Sequence, residues 1–181
     1  ITITGGEPLL QEAAVVELID ELNRRNALKI QDNPSSQSDL TRINDVDKDV
    51  DKRERPNNSP YDFNIETNGT IVPSFHRDNV WFTYDYKTPS SLAEESMNLD
   101  IFKVSREQDL IKCVVGSVED LDCMRRMINQ YPTKAQIYVS PVWGRIEAAA
   151  IIDYMKEHNL QNVRFQLQIH KFVWDPDAKG V

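Results

Sequence analysis

The residues able to do chemistry fall in four short polar segments. Thr4-Gly5-Gly6-Glu7-Pro8-Leu9-Leu10-Gln11 comes first, after a brief apolar alternation at Ile1 and Ile3 and before a helical pattern from Glu12. Two adjacent glycines let a ligand approach the main chain closely. Glu7 offers a fixed negative charge to an amine, and Pro8 suits the first turn of a helix. A plain strand-to-helix turn has the same composition, so this segment alone leaves both readings open. The other three are Glu66-Thr67-Asn68-Gly69, Asp85-Tyr86-Lys87-Thr88-Pro89-Ser90-Ser91 and Ser140-Pro141-Val142-Trp143-Gly144. Charged residues there are equally what a solvated strand end carries, and Trp143 is equally a core residue.

Each segment closes a stretch with strand character. Phe63, Ile65 and Thr67 alternate ahead of the Asn68-Gly69 turn, and Val80 to Lys87 runs into Thr88-Pro89. Asp109 to Gly116, Ala135 to Val139 and Asn162 to His170 add further strands, the last through Val163, Phe165, Leu167 and Ile169. Helical spacing appears from Glu12 to Asn26, with Ala13, Val16, Ile19 and Leu22 in a stripe. It returns from Ser117, an N-cap with Asp120 three residues on, through Gln130, and again from Arg145 to His158. Ala27 to Ile30 reads as the start of a strand.

From Gln31 to Pro60 the composition shifts to Asn, Asp, Ser, Pro, Lys and Arg, with only Leu40, Ile43, Val46 and Val50 interrupting. Four apolar residues cannot offset the ordering entropy of so long a stretch, which predicts a disordered surface insertion within a single domain of residues 1–181. A protein-docking role is the second reading of that insertion.

This alternation predicts an α/β fold, a parallel sheet with helices outside it in a partial or complete barrel. In such a fold the carboxyl ends of all strands share one rim, so polar groups distant in sequence would surround one pocket.

The chain has 181 residues, 40% hydrophobic and 28% charged, with a formal net charge of −8. That balance suits an ordinary globular domain and argues against direct nucleic-acid binding. No apolar run approaches the roughly 20 residues that span a bilayer, and no signal-peptide pattern is visible. Cys113 and Cys123 form no Cys-x-x-Cys pair, and His76, His158 and His170 show no metal-ligand spacing with them. Buried, reduced thiols in a cytoplasmic protein are the expectation.

Thr4 to Gln11, Ile65-Glu66-Thr67-Asn68-Gly69-Thr70, Asp85 to Ser91 and the ending Gln166-Leu167-Gln168-Ile169-His170-Lys171-Phe172-Val173-Trp174-Asp175-Pro176 to Gly180-Val181 resemble, in that order, the radical S-adenosylmethionine family of 7-carboxy-7-deazaguanine synthases. The resemblance covers the chain except Gln31 to Pro60. It implies a partial, six-unit TIM-like barrel of the radical S-adenosylmethionine type, with the first strand and cluster loop missing. It also implies an enzyme: S-adenosylmethionine, reduced at a 4Fe-4S cluster, yields a 5′-deoxyadenosyl radical. That radical takes a hydrogen from 6-carboxy-tetrahydropterin, whose ring contracts with loss of ammonia to 7-carboxy-7-deazaguanine, for queuosine and related deazapurines. Mg2+ assists in the family.

By position, the resemblance assigns S-adenosylmethionine contacts to Gly5, Gly6 and Glu7, to Asp85, Tyr86 and Lys87, and to Ser140, Pro141, Val142 and Trp143. Lys87 would pair with the cofactor carboxylate, and Trp143 would pack on adenine if it is not core. Thr4, Glu66, His170 and the terminal carboxylate of Val181 are assigned to the substrate. Glu66 would accept from the pterin's N–H groups, although a surface carboxylate and a structural histidine fit Glu66 and His170 as well. The expected partners are the small pterin, an electron donor such as flavodoxin and a second copy in a homodimer, with no nucleic acid and no membrane.

Two departures stand out. The family's Cys-x-x-x-Cys-x-x-Cys loop, with a magnesium ligand beside it, precedes Gly-Gly-Glu-Pro and is absent here, so the cluster ligands are expected upstream and this chain alone is expected to be inert. Leu92 stands where a glycine is expected. The exposed apolar edge at Ile1 to Thr4 predicts marginal stability or self-association. Two other readings remain: another radical S-adenosylmethionine protein such as an activating enzyme, or a cluster-free remnant acting in binding.

Overall fold

Six short strands, each followed by a helix or a compact turn, build one parallel sheet in the computed structural model, which describes residues 1–32 and 61–175. They are β1 (Thr2–Ile3), β2 (Phe63–Thr67), β3 (Val80–Tyr86), β4 (Leu110–Val115), β5 (Gln136–Pro141) and β6 (Val163–Phe165), side by side in chain order. Among the described residues β1 and β6 are the sheet's two edges. The helices are α1 (Glu12–Asp32), α2 (Ile101–Val104), α3 (Val118–Gln130), α4 (Ala148–Glu157) and α5 (His170–Val173). No helix among the described residues is long and apolar enough to cross a membrane.

Strand alternation separates two chemistries. Phe63 and Ile65, then Val80, Phe82, Tyr84 and Tyr86, then Ile111, Cys113 and Val115, then Ile137 and Val139 are buried in one core. Val15 and Ile19 of α1, Leu121 and Met124 of α3, and Ile151 of α4 join that core, so these helices cover one face of the sheet. The residues between them face the other way and, apart from Trp81 and Val114, are polar or carry a polar tip. Asp85, Lys112, Tyr138 and Arg164 are register neighbours on β3 to β6, and Glu66 lies opposite Thr83.

A buried latch sets β3 against β4 at their amino ends. Asp109 accepts from the main-chain N–H of Phe82 (2.9 Å) and of Arg106 (2.7 Å). The Arg106 guanidinium in turn donates to the carbonyls of Arg77 (3.0 Å) and Val80 (2.6 Å).

Three sequence expectations change. Ala27 to Ile30 does not begin a strand, because α1 continues through Asp32; without a break at Ala27 the helical backbone simply propagates. The α1 stripe runs through Val15, Ile19 and Leu22, while Ala13 is exposed. The last strand does not extend to His170. It stops at Phe165, and Leu167 and Ile169 are exposed, so their alternation has no core beneath it. The one-turn helix α2, which buries Ile101 and Phe102, was not legible as an element. The remainder of the Gln31 to Pro60 stretch, from residue 33 on, lies outside the described residues, as does Val181.

Leu92 confirms the suspicion about its position. It follows the turn Pro89–Ser91 with φ 56° and ψ 21°, the left-handed region, and is 96% exposed. A leucine there carries backbone strain and buries nothing in return. Leu92→Gly is expected to stabilise the fold by about 1 kcal/mol, raising Tm by roughly 2–4 °C in a thermal melt.

Candidate functional site

All strands run the same way, so their carboxyl ends lie along one edge of the sheet. That edge carries Thr4 to Glu7 after β1, Asn68 after β2, Lys87 and Thr88 after β3, Gly116 after β4, and Ser140 to Trp143 at the end of β5.

Gly5 and Gly6 have φ of 99° and 59°, and a side-chain carbon built on either would meet nothing within 4 Å. The turn therefore needs glycine for its backbone, and open space lies beside it. Glu7 does not project as a free charge. Its Oε1 accepts from the Leu9 N–H (3.0 Å) and the Thr67 hydroxyl (2.8 Å), and its Oε2 from the Asn68 N–H (2.7 Å). The carboxylate thus caps the 3-10 turn Pro8–Gln11 and ties the end of β1 to the end of β2.

Just past β3, Lys87 Nζ lies 2.5 Å from Asp85 Oδ2, so the two charges meet as an ion pair. Tyr86 points into the core, edge-on to Phe102. Thr88 is buried and donates its hydroxyl to the Val114 carbonyl (3.1 Å). On β5, Ser140 is fully buried, and its Oγ has no hydrogen-bond partner among the described residues. An unsatisfied buried hydroxyl at a strand end is costly, and a ligand atom can complete it. Pro141 closes the strand, and the Val142 N–H donates to the Val115 carbonyl (2.7 Å). Trp143 is 43% exposed with its ring edge-on to Phe172 at 4.7 Å, so it is not a core residue.

The residues assigned to substrate scatter more. Thr4 is exposed on the rim, and Glu66 is exposed on the polar face of β2. His170 sits on no strand; it opens α5 and is exposed.

Several residues take roles here that the sequence did not assign to them. Lys112, Tyr138 and Arg164 extend the polar face beside Asp85, with the Arg164 guanidinium 6.0 Å from the Tyr138 ring centre. Thr67 and Asn68 hold Glu7. Asp120 is fully buried and accepts from the main-chain N–H of Ser90 (2.9 Å) and Gly116 (2.7 Å). The strand alternation would have marked Lys112, Tyr138 and Arg164; the reach of Asp120 to Ser90 leaves no mark in a sequence.

Burial opposes the charge on Asp120, but the hydrogen bonds from Ser90 and Gly116 outweigh it and hold the carboxyl below the usual aspartate range. A lowered folded-state pKa stabilises the fold above the unfolded value and loses that contribution as pH falls through the folded one. The stability gap between the wild type and Asp120→Asn is therefore expected to be full at pH 7 and to shrink below about pH 4. Urea titrations at both pH values check it.

Neither cysteine is placed to hold a metal. Cys113 is fully buried, and its surroundings push the thiol well up; Cys123 is pushed up to about 11, first by burial and then by the neighbouring Glu94 carboxylate. Iron ligation needs thiolates, so these two do not fit an iron–sulfur cluster. Among the described residues no cluster of three His, Cys, Asp or Glu side chains could hold a metal ion.

No family model matches the chain. Curated relatives do. It is 34% identical, over its whole length, to 69% of a 7-carboxy-7-deazaguanine synthase from Clostridium acetobutylicum. It is 31% identical, over 97% of its length, to 59% of the synthase of the same name from Methanospirillum hungatei. A third, from Leptospira interrogans, matches at 30% over 65% of this chain and 50% of the relative. With a parallel α/β sheet and that degree of identity across all 181 residues, the chain belongs to the 7-carboxy-7-deazaguanine synthase family.

Proposed function

We propose that the protein containing this chain is a 7-carboxy-7-deazaguanine synthase, converting 6-carboxy-tetrahydropterin to 7-carboxy-7-deazaguanine with loss of ammonia. The observation that carries this reading is the rim: open glycine backbone after β1, an ion pair after β3 and an unsatisfied buried hydroxyl at the end of β5, all on one edge of a parallel sheet. The finer fold on this reading is a TIM-like partial barrel of the radical S-adenosylmethionine type, its polar face turned to the ligands.

S-adenosylmethionine fits that rim, and when bound it supplies the hydrogen-abstracting radical. Gly5 and Gly6 give its amino-acid end room beside the main chain, and Ser140 Oγ gains the partner it lacks. Trp143 offers its exposed face to adenine. Lys87, already paired with Asp85, contributes orientation more than net charge. Glu7 acts by holding the ends of β1 and β2 together. Thr4 and Glu66 stand towards the pterin, with Glu66 accepting from its N–H groups; His170 and Val181 complete that side. A 4Fe-4S cluster requires ligands other than Cys113 and Cys123. Mg2+, a flavodoxin-type electron donor, a homodimer and a cytoplasmic setting complete the proposal.

The test is direct. The full-length protein containing this chain, reconstituted anaerobically and checked for iron and sulfide, is incubated with S-adenosylmethionine, a reductant and 6-carboxy-tetrahydropterin. Mass spectrometry should detect 7-carboxy-7-deazaguanine. A cluster-loaded protein that binds both ligands and forms none of it refutes the proposal.

A further inference from the structure

We propose that Asp120 is a positioning residue for S-adenosylmethionine, its carboxylate locking the β3 loop and the β4 turn into one rigid half of the rim. The inference rests on the functional reading above and adds to it a residue that touches no ligand.

Helix α3 is capped without Asp120's side chain. The Ser117 hydroxyl accepts from the Asp120 N–H at 3.2 Å, which satisfies the helix start. In a reciprocal capping box the third residue would reach back to the N–H of the cap itself. Asp120 instead reaches past it, to the Gly116 N–H at the end of β4 and to the Ser90 N–H thirty residues upstream. These two donors are main-chain groups, the Ser90 and Thr88 hydroxyls add to them, and the carboxylate is fully buried. Among side chains of this size only an ionised carboxylate has two acceptor oxygens and no donor, so asparagine must turn an amide N–H towards one of the two N–H groups.

The consequence lies at the rim. Ser90 belongs to the segment that carries Asp85, Tyr86 and Lys87, and the Thr88 hydroxyl fastens the same segment to the Val114 carbonyl. Gly116 is a meeting point. A carbon added there would lie 3.2 Å from Arg145 Cδ, 3.5 Å from Val142 Cγ2 and 3.6 Å from Ser90 Oγ. The β3 loop, the β4 turn and the β5 loop therefore converge on one glycine, and Asp120 grips two of the three beneath it. Loosening that grip lets the Asp85–Lys87 end drift relative to Ser140 and Trp143, and shifts of about 1 Å in a positioned contact are costly.

Asp109 supplies a control. It too is fully buried and accepts from two main-chain N–H groups, and also from the Arg106 guanidinium (3.3 and 3.4 Å), but at the opposite ends of the same β3–β4 pair. The experiment measures the Kd of S-adenosylmethionine by equilibrium dialysis, and Tm, for the reconstituted full-length wild type, Asp120→Asn and Asp109→Asn. The expected result is a Kd raised at least about tenfold in Asp120→Asn and by less than about twofold in Asp109→Asn, with a loss in Tm at least as large in Asp109→Asn, which also breaks the pair with Arg106. Ser117→Ala, which frees Asp120 without removing it, should raise Kd about threefold, and it decides the matter if Asp120→Asn does not fold. Equal weakening in the Asp120 and Asp109 variants would show a merely structural role and overturn the inference, as would an unchanged Kd in Asp120→Asn. A wild-type protein that does not bind S-adenosylmethionine overturns the functional reading itself, a result distinct from either.

Discussion

Replacing Glu7 with alanine is expected to cost about 4 kcal/mol of stability, a large part of what a domain of this size possesses. Three donors lose their acceptor at once: the Leu9 N–H, the Thr67 hydroxyl and the Asn68 N–H. Each is worth about 1–3 kcal/mol when left unmade in a buried place, and water entering the gap recovers part of it. Glu7→Gln should cost less, about 2 kcal/mol. Its remaining oxygen can still serve Leu9 and Thr67, but its amide then faces the Asn68 N–H. Urea denaturation of the three proteins checks the order. If Glu7 were only a ligand contact, both variants would unfold like the wild type and differ only in binding. The same pair of variants should raise the Kd of S-adenosylmethionine, because Gly5 and Gly6 are held in place by the turn that Glu7 caps.

Phe82→Ala is expected to cost about 3–5 kcal/mol, enough to leave much of the chain unfolded at 37 °C. Phe82 is fully buried at the centre of β3, with Phe75 edge-on at 5.6 Å and Tyr84 stacked at 5.8 Å. Truncation leaves a cavity lined by rings, and rings repack poorly around a void. Phe172 provides the contrast. It is 61% exposed and meets Trp143 edge-on, so Phe172→Ala should change stability by no more than about 0.5 kcal/mol. Denaturant midpoints of the two variants, measured side by side, distinguish core from rim. A small loss at Phe82 would mean that β3 is not the centre of the cooperative unit.

Much of the fold could be read from the chain. Alternation at Phe63, Ile65 and Thr67, and again from Val80 to Tyr86, is visible because each strand has one face to bury. The Ser117 cap was visible because helix starts use local chemistry that one residue type supplies. Alternation failed at Leu167 and Ile169, where the pattern continues but nothing covers it. Propensity failed at Ala27, where a helix already under way needs no further reason to continue. Leu92 shows the reverse case: a family resemblance flagged an odd residue, and its left-handed backbone gives the physical meaning of the oddity.

The site divides in the same way. Which residues lie at strand ends follows from local pattern, and parallel topology then places Thr4 to Glu7, Lys87 and Ser140 on one rim. What those residues do to one another follows from nothing local. Glu7 looks like a free charge in the sequence and is spent on three protein donors, and Lys87 is already paired. Asp120 looks like half of a helix cap and instead joins two loops. By itself the sequence determined where most strands lie, the helix start at Ser117 and the identity of the polar ends, because backbone periodicity and capping act over a few residues. Only the tertiary structure decided which charges are consumed inside the protein and which buried polar atoms, Ser140 Oγ among them, are left without a partner among the described residues. Hydrogen bonds across thirty or sixty residues depend on distances that exist only once the sheet has formed.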